Sequence, residues 1–317
     1  MKRRRKLNLK SLYEYLKEVE PFSLSLHSDA DGIYSSSILM DIFKVSKTTS
    51  PPFNEYNTDV AIDLGFPSNK NWTGICIDHH PDHPKDRKYK LYWDQVPTGL
   101  ILYNELRDHI PKESLWKIVG SLVGDGQAER VPDEIWDMFP ILLEERGYLG
   151  KGQYKLYTSA FPLFYFLSSG INAVSRLGFP LQALEIVNIA KTPLDILDNI
   201  EVRDAQEKFR MEEDSIYKSK PVVETIKNRF LIIKIHPSSS VNISSYIASK
   251  VSGENAGKTI IVINTKTGKV SLRGVLAKYV ATKLNNAGFK SGGHSGFCGS
   301  YCDPDRIEEY LNIIRGL

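Results

Sequence analysis

The stretch FSLSLHSDADG, residues 22–32, decides the fold. It opens with apolar Phe22, Leu24 and Leu26 alternating with serines, which is the period-two pattern of a β-strand. An acidic turn, SDADG, follows at once, and the segment that starts at Tyr34 has the period and length of a helix. This order predicts polar side chains at the carboxyl end of a strand, where open α/β sheets bind their ligands.

Two further apolar runs end in the same way. Residues 60–62 stop at Asp63, and residues 75–77 stop at Asp78. Short strands of this kind, separated by helical stretches, are typical of a buried parallel sheet. We therefore predict an α/β fold whose N-terminal domain has a parallel sheet flanked by helices.

The predicted strand ends carry side chains of the types that bind divalent metal ions. A further acid, in VGDGQ, lies between two glycines, where a backbone and a ligand can approach closely. The candidate residues in chain order are His27, Asp29, Asp31, Asp63, Asp78, His79, His80 and Asp125. Clustered carboxylates without counter-charge repel one another, so the set indicates bound cations. Mixed imidazole and carboxylate ligands suit Mn²⁺, with Mg²⁺, Co²⁺ or Zn²⁺ as substitutes. Two such ions, bridged by one carboxylate, would hold a hydroxide for attack on phosphorus.

Taken singly, these residues allow simpler interpretations. Asp29 or Asp31 is also a suitable cap for the helix that follows. Asp63 alone fits a strand-end turn, and Asp125 alone fits the end of a helix. The triplet at residues 78–80 is harder to explain structurally, because three adjacent polar side chains cost stability wherever they are partly buried.

The C-terminal part has a different pattern. Residues 195–220 are charged and almost free of Gly and Pro, which predicts a long solvent-facing helix bridging two domains. A βαββα order follows, with strands RFLIIKIH, TIIVIN and KVSLRG, the last two joined by a hairpin turn, and a final helix ending at Gly288. The predicted domains are 1–194, a helical linker at 195–221, and a smaller α/β domain at 222–317.

Composition sets the remaining limits. The 317 residues are 41% hydrophobic, which is enough for one large domain or two ordinary ones. No long apolar run is present, so we predict neither a membrane span nor a secretory signal and expect a cytoplasmic protein. Three cysteines are too few for a disulfide framework and agree with a reducing compartment. The net charge is only +3, but Lys2 to Lys6 form a basic run, either a solvated tail or a phosphate-binding arm.

The motifs together resemble a known family. The chain carries HSDADG at 27–32, then Asp63, then DHH at 78–80, then Asp125, followed by VSLR at 270–273 and GGH at 292–294. With these residues, from about 20 to 317, it resembles the DHH/DHHA1 phosphoesterases, which include RecJ-like exonucleases, nanoRNases and cyclic-dinucleotide phosphodiesterases. Ser291 stands where the first glycine of the family's GGGH loop is usual.

The resemblance implies a DHH catalytic domain and a DHHA1-type substrate-binding domain across a cleft. Two divalent ions would be held by two sets that share one residue: His27, Asp29 and Asp63, and Asp31, Asp63, His79 and Asp125. The catalytic group would be Asp78, His79 and His80, in which Asp78 orients the site and His80 reaches the scissile phosphate. Arg273 and His294 would bind a terminal phosphate or the nucleotide. The backbone of Gly292 and Gly293 would add an anion-binding nest.

Three functions remain open at this stage. The first is an exonuclease on single-stranded DNA or RNA. The second is a phosphodiesterase of short oligonucleotides or small nucleotides, linear or cyclic dinucleotides or pAp, which the compact length and the lack of a further OB-like domain favour. The third, a non-catalytic Cdc45-like replication scaffold, predicts lost ligands, whereas all the acids are present. The oligomeric state and the sugar preference cannot be predicted.

Several other residues have competing interpretations. A zinc site at His294, Cys298 and Cys302 would have only three ligands. His83, His109 and His236 are interpreted as ordinary surface or satisfied histidines. Some aromatic residues fit either a nucleic-acid path or helix packing: Tyr148, Tyr154, Tyr157, Phe161, Phe164 and Tyr165.

Overall fold

The chain forms two compact units, Met1–Gln206 and Glu207–Leu317. The computed structural model describes residues 11–52, 54–81, 83–146, 161–237, 243–255, 257–294 and 296–317. The basic run at Lys2 to Lys6 and three of the aromatic candidates, Tyr148, Tyr154 and Tyr157, lie outside these residues. The proposed domain boundaries at 194 and 222 stay predictions.

The first unit is built on a five-stranded parallel sheet with the order β2-β1-β3-β4-β5. Its strands are β1 (Phe22–Leu26), β2 (Val45–Thr49), β3 (Val60–Ile62), β4 (Ile75–Asp78) and β5 (Lys90–Trp93). The predicted parallel sheet is confirmed. The three strands predicted from apolar runs are the central ones, because only central strands are buried on both faces.

Helices flank this sheet. They are α1 (Leu12–Val19), α2 (Ala30–Ile42), α3 (Thr98–Leu106), α4 (Trp116–Gly124), α5 (Asp133–Met138), α6 (Leu163–Arg176), α7 (Pro180–Ile189) and α8 (Pro193–Asp198), with a two-residue pair of strands, β6 (Glu145–Arg146) and β7 (Phe161–Pro162). Helix α9 (Ile200–Lys218) follows and continues from the first unit into the second. Helix α2 is buried along its first ten residues and packs against α4 and α7, with Tyr34 edge-on to Trp116. This central helix starts directly after β1 and so fixes the acidic turn between them.

The predicted single helix at 195–220 is wrong in two respects. The chain breaks at Asn199, whose side chain accepts hydrogen bonds from the backbone N–H groups of Glu201 and Val202 and thereby starts α9. Helix α9 also does not face solvent all round. Val202, Phe209 and further residues along the helix are buried, which gives it one apolar stripe.

The second unit is a six-stranded mixed sheet with the order β12-β13-β11-β10-β9-β8. Its elements are β8 (Val222–Ile226), β9 (Phe230–Ile235), α10 (Ser244–Glu254), β10 (Thr259–Asn264), β11 (Lys269–Arg273), α11 (Ala277–Asn286), β12 (Ser291–His294), β13 (Phe297–Tyr301) and α12 (Ile307–Gly316). The predicted βαββα series is present as β9 to α11. Strands β9 and β10 are parallel because α10 connects them, and the other neighbours are antiparallel. Among the described residues, no helix is long and apolar enough to span a membrane.

Candidate metal centre

The carboxyl ends of β1, β3 and β4 lie side by side. Leu26 is in register with Ile62, and Ile62 with Ile77. The ladder continues one residue further, since the N–H of His27 donates to the carbonyl of Ile62 and the N–H of Asp63 donates to the carbonyl of Ile77, each at 3.0 Å. The functional side chains of three strands therefore start from one edge of the sheet.

The first cluster at this edge consists of His27, Asp29 and Asp63. Nδ1 of His27 lies 2.9 Å from Oδ2 of Asp29 and 3.4 Å from Oδ2 of Asp63. The three residues offer ligand atoms within 4.8 Å of one another. Asp29 is also the N-cap of α2, because its Oδ1 accepts from the N–H of Gly32 at 3.1 Å. The capping role of Asp29 is confirmed for Oδ1, and its role as a metal ligand, which would use Oδ2, stays a prediction.

The second cluster consists of Asp31, His79 and Asp125, with ligand atoms again within 4.8 Å. Nε2 of His79 lies 3.2 Å from Oδ2 of Asp125 and 3.9 Å from Oδ2 of Asp31. The same Nε2 lies 3.1 Å from Oδ1 of Asp63. Asp63 therefore directs one oxygen to each cluster, which is the arrangement of a bridging carboxylate.

The backbone of Asp63 is itself unusual. Its φ of 58° lies in the left-handed region, which costs a non-glycine residue about 1 kcal/mol. Asp is among the few residues that tolerate this conformation, because its short polar side chain can bond locally. Strain of this kind is held by the surrounding structure at functional sites.

Asp31 is fixed by four donors that sequence patterns did not reveal. Its Oδ2 accepts from the N–H of Thr98 at 2.8 Å, and its Oδ1 accepts from the N–H of Gly99 and the hydroxyl of Ser35, each at 3.1 Å, and from the hydroxyl of Ser121. Thr98 and Gly99 form the first turn of α3, the positive end of that helix. The sequence signal that could have revealed Thr98 and Gly99 is Pro-Thr-Gly at residues 97–99, the start of the helix that follows β5.

Asp125, in contrast, lies at the C-terminal, negative end of a helix. It is the C-cap of α4, where the helix dipole disfavours an anion. The predicted close approach is present at Gly124, where a Cβ atom would come within 2.8 Å of Cβ of Ala30. A carboxylate at this position needs a nearby positive charge.

Burial and mutual repulsion shift the pKa values at the centre. Burial, and then the charge of Asp63, raise the pKa of Asp31 to about 6. Burial and the charge of Asp31 raise the pKa of Asp125 well above its usual range. Burial opposes the charging of His79, but the carboxylates of Asp63, Asp125 and Asp31 together outweigh it and raise the pKa of His79 to about 11. In the absence of cations, protons supply the missing positive charge.

The donor set fits divalent ions. Oδ1 of Asp63 and Oδ2 of Asp125 are buried and, within the described part of the chain, accept no well-formed hydrogen bond, although both face Nε2 of His79. Buried oxygens of this kind cost free energy unless a cation pairs with them. Carboxylates with two imidazoles suit Mn²⁺ and related ions.

Asp78 does not join either of these clusters. It is fully buried at the end of β4, and its two oxygens contact Nδ1 of His80 at 2.8 Å and Nε2 of His83 at 2.7 Å. The predicted orienting role therefore has a structural counterpart. His83, interpreted from the sequence as ordinary, has both ring nitrogens bonded and is nearly buried beside the centre.

In the second unit, Arg273 ends β11. Its Nη1 donates to the carbonyl of Cys298 at 3.3 Å, its Nε donates to the hydroxyl of Ser249 at 3.2 Å, and its guanidinium lies 4.9 Å from the ring centroid of Phe297. Phe297 is in register with Arg273 on one side and with His294 on the other. Phe297 was not predicted as a site residue, and a half-exposed aromatic residue gives no sequence signal.

The GGH segment forms a strand rather than the loop expected from its glycines. Gly292 and Gly293 belong to β12 and pair with Gly299 and Cys298 of β13. Gly293 has φ 131°, and a Cβ there would come within 2.4 Å of the carbonyl of Phe297, so this position requires glycine. The side chain of His294 lies outside the described part of the structure.

The remaining candidates lie elsewhere. Cys298 and Cys302 are buried in the hydrophobic core of the second unit, and burial raises the pKa of Cys302 to about 11, which opposes a zinc thiolate. His109 stacks on Tyr13, and His236 contacts the hydroxyl of Thr265. Phe164 packs against Trp136 and Tyr165, which favours helix packing for these two aromatic candidates.

Comparison with solved structures identifies the fold. RecJ in complex with Mn²⁺ from Thermus thermophilus aligns with a TM-score of 0.67 and 16% identity, over 96% of this chain and 53% of that one. Exonuclease RecJ bound to manganese gives 0.61 and 15%, over 98% and 94%. CDC45 from Entamoeba histolytica gives 0.51 and 9%, over 96% of both chains.

The chain thus spans about half the length of the Thermus thermophilus RecJ chain. No protein-family model and no curated protein matches it. Both RecJ alignments extend over nearly the whole chain, and so include the sheets of both units. This protein has a RecJ-like fold.

Proposed function

We propose that the chain is a metal-dependent phosphodiesterase or exonuclease that hydrolyses terminal phosphodiester bonds of single-stranded DNA or RNA or of short oligonucleotides. The observation that carries the proposal is the position of Asp63, with Oδ2 3.4 Å from His27 and Oδ1 3.1 Å from His79. One carboxylate between two ligand clusters is the arrangement of two-metal phosphoryl chemistry.

The two ions would have ligand sets that share Asp63. One ion would be held by His27, Asp29 and Asp63, and the other by Asp31, Asp63, His79 and Asp125. Mn²⁺ suits this set best, with Mg²⁺ or Co²⁺ as alternatives, and solved RecJ structures with the same fold contain Mn²⁺ or Mg²⁺. When bound, the ions would supply an activated water and neutralise charge on the phosphate.

Asp78, His79 and His80 form the proposed catalytic group. Asp78 accepts the Nδ1–H of His80, which fixes the ring of His80 beside the rings of His27 and His79. Burial opposes the charging of His80, but the carboxylates of Asp78 and Asp63 outweigh it and raise the pKa of His80, which favours a ring with a proton on both nitrogens. We assign the Nε2–H of His80 to donation to the scissile phosphate.

The substrate-binding residues of the second unit favour a nucleotide over a bare phosphate chain. Arg273 is held at its strand end by a hydroxyl and a carbonyl, so its planar fork is preorganised for phosphate oxygens. Phe297 is 43% exposed beside it and offers an apolar ring on which a base can stack. His294 and the backbone of Gly292 and Gly293 complete the proposed set.

Two alternatives make different predictions. A phosphodiesterase of small nucleotides, such as cyclic or linear dinucleotides or pAp, would use the same centre but prefer the shortest substrates. A non-catalytic Cdc45-like scaffold shares the fold. Such a scaffold has no need for metal ligands, whereas every proposed ligand position at this sheet edge carries an acid or a histidine.

The test is hydrolysis of an oligonucleotide ladder. Purified protein with Mn²⁺ is given RNA and DNA of two to about thirty residues, labelled at either end, together with cyclic dinucleotides and pAp. Stepwise loss from one end is expected, with Asp31→Ala and Asp78→Ala inactive. Asp94→Ala is the matched control, because Asp94 also follows a strand of this sheet but is exposed and outside the clusters. No hydrolysis of any substrate, or near-normal activity of either aspartate variant, would refute the proposal.

A further inference from the structure

A buried chain of hydrogen bonds leads from Tyr89 to His80. The hydroxyl of Tyr89 lies 2.7 Å from Nδ1 of His83, and Nε2 of His83 lies 2.7 Å from Oδ2 of Asp78. Oδ1 of Asp78 lies 2.8 Å from Nδ1 of His80. Tyr89 and the side chain of His83 are only 7% and 5% exposed, so water has little access to these bonds.

Asp78 sets the direction of two of these bonds. Its carboxylate can only accept, so Nε2 of His83 and Nδ1 of His80 both donate to it. Asp78 therefore holds one ring with each oxygen, and the Tyr89 hydroxyl holds the other ring nitrogen of His83. The orientation of His80 thus depends on groups two hydrogen bonds away.

The surroundings hold the chain in place. Tyr89 packs against Trp72, with ring centroids 5.4 Å apart, in a small apolar cluster that also contains Tyr56 and Cys76. The indole N–H of Trp93 donates to the backbone carbonyl of His80 at 2.7 Å. Both the ring and the backbone of His80 are thus anchored to groups near β4 and β5.

We propose that Tyr89 and His83 are positioning residues, which act through Asp78 to fix the orientation of the His80 ring. The inference rests on the proposed function for its catalytic consequence, but the hydrogen-bond chain exists whether or not the protein hydrolyses a given substrate. Removing an outer partner of a metal or catalytic group typically costs about 10- to 100-fold in activity.

Three variants test the chain. Tyr89→Phe removes one hydroxyl and keeps the ring, His83→Ala breaks the chain, and His83→Gln retains an N–H donor for Asp78. The matched control is Tyr56→Phe. Tyr56 lies in the same apolar cluster, but its hydroxyl donates to the carbonyl of Gly65 at 2.7 Å, outside the chain.

The first readout is the orientation of the His80 ring in crystal structures of the protein without metal. Wild type and Tyr56→Phe are expected to keep Nδ1 of His80 within hydrogen-bond distance of Oδ1 of Asp78, and His83→Ala is expected to leave the His80 ring in more than one orientation. A His80 ring turned away from Asp78 in wild type, or an unchanged ring in His83→Ala, would overturn the proposal, even if the protein proved to have no activity.

The second readout is kinetic, with Mn²⁺ and a short oligonucleotide. His83→Ala is expected to lower kcat about 10- to 100-fold with KM nearly unchanged, Tyr89→Phe to lower it less, and His83→Gln to recover part of the loss. Equal losses in Tyr89→Phe and Tyr56→Phe, or full kcat in His83→Ala, would show that the chain does not position His80.

Discussion

Nε2 of His79 lies 3.1 Å from Oδ1 of Asp63, although the two residues follow different strands of the parallel sheet. This contact joins the cluster at His27 to the cluster at Asp125. Burial alone would lower the pKa of His79, but this contact, together with the charges of Asp125 and Asp31, raises it to about 11. The metal-free centre at neutral pH therefore holds a proton at a position where a ligand has to be neutral.

Metal binding is consequently expected to release protons. His79 loses its proton when it becomes a ligand, so Mn²⁺ affinity rises with pH by about tenfold per pH unit for each proton released. Titration calorimetry in buffers of different ionisation enthalpy measures the number of protons released when Mn²⁺ binds. His79→Gln is expected to release fewer protons than wild type, whereas His236→Gln, whose ring contacts Thr265 in the second unit, is expected to match it. A binding enthalpy that does not depend on the buffer would contradict the assignment.

Asp125→Asn is expected to stabilise the metal-free protein. Burial raises the pKa of the Asp125 carboxyl, so the stability it contributes is complete below its ordinary pKa of 3.8 and is lost as pH rises toward the folded value. The amide side chain of the variant does not ionise, so the variant avoids this loss of stability. Its gain in Tm over wild type, measured in EDTA, should therefore be larger at pH 8 than at pH 4. Asp94→Asn, at an exposed position, is the control.

The same substitution should weaken the response to metal. Wild-type Tm is expected to rise on addition of Mn²⁺, because a ligand that binds only the folded state stabilises it. Asp125→Asn lacks one proposed ligand and should show a smaller rise. A variant that is less stable than wild type in EDTA at pH 8, or that responds fully to Mn²⁺, would show that Asp125 is not held for a cation.

The sequence predicted the centre well where the signal was local. The runs at 60–62 and 75–77 consist mainly of β-branched residues that suit buried strands, and the polar residue after each run marks its carboxyl end. Parallel strands bring such ends to one edge, which is why the clustering of Asp63 with residues after β1 followed from the pattern.

The unpredicted parts depend on contacts that are distant in the chain. Ser121 bonds Asp31 across 90 residues, and no local pattern marks a serine in an apolar helix as a partner of an acid. The strand at Gly292 and Gly293 was missed because glycine normally indicates a turn, and pairing with β13 overrides that preference. The break at Asn199 did have a local signal, since asparagine is a favoured N-cap.

Gly99→Ala is expected to disturb the centre through Asp31. A Cβ at this position would lie 2.1 Å from the hydroxyl oxygen and 2.6 Å from Cβ of Ser121, which itself bonds Asp31. Overpacking of this kind costs about 1–3 kcal/mol, and both Tm and Mn²⁺ affinity should fall. Adding Ser121→Gly removes both clashing atoms and is expected to restore Tm more than Mn²⁺ affinity, because the hydroxyl donor remains absent. The control is Gly253→Ala in α10, where a Cβ meets nothing within 4 Å.

Arg273→Ala and Phe297→Ala are expected to affect substrate binding rather than turnover. Loss of a charged hydrogen bond to phosphate costs about 1.5–3 kcal/mol, so Arg273→Ala should raise KM by at least about tenfold for every phosphorylated substrate, with kcat less affected.

Stacking on an aromatic ring contributes about 1–3 kcal/mol per base, so Phe297→Ala should raise KM for an intact dinucleotide but not for one with an abasic terminal residue. Phe297→Tyr keeps the ring and should behave as wild type. Equal KM changes on the intact and abasic substrates would exclude base stacking at Phe297, whatever the result for Arg273.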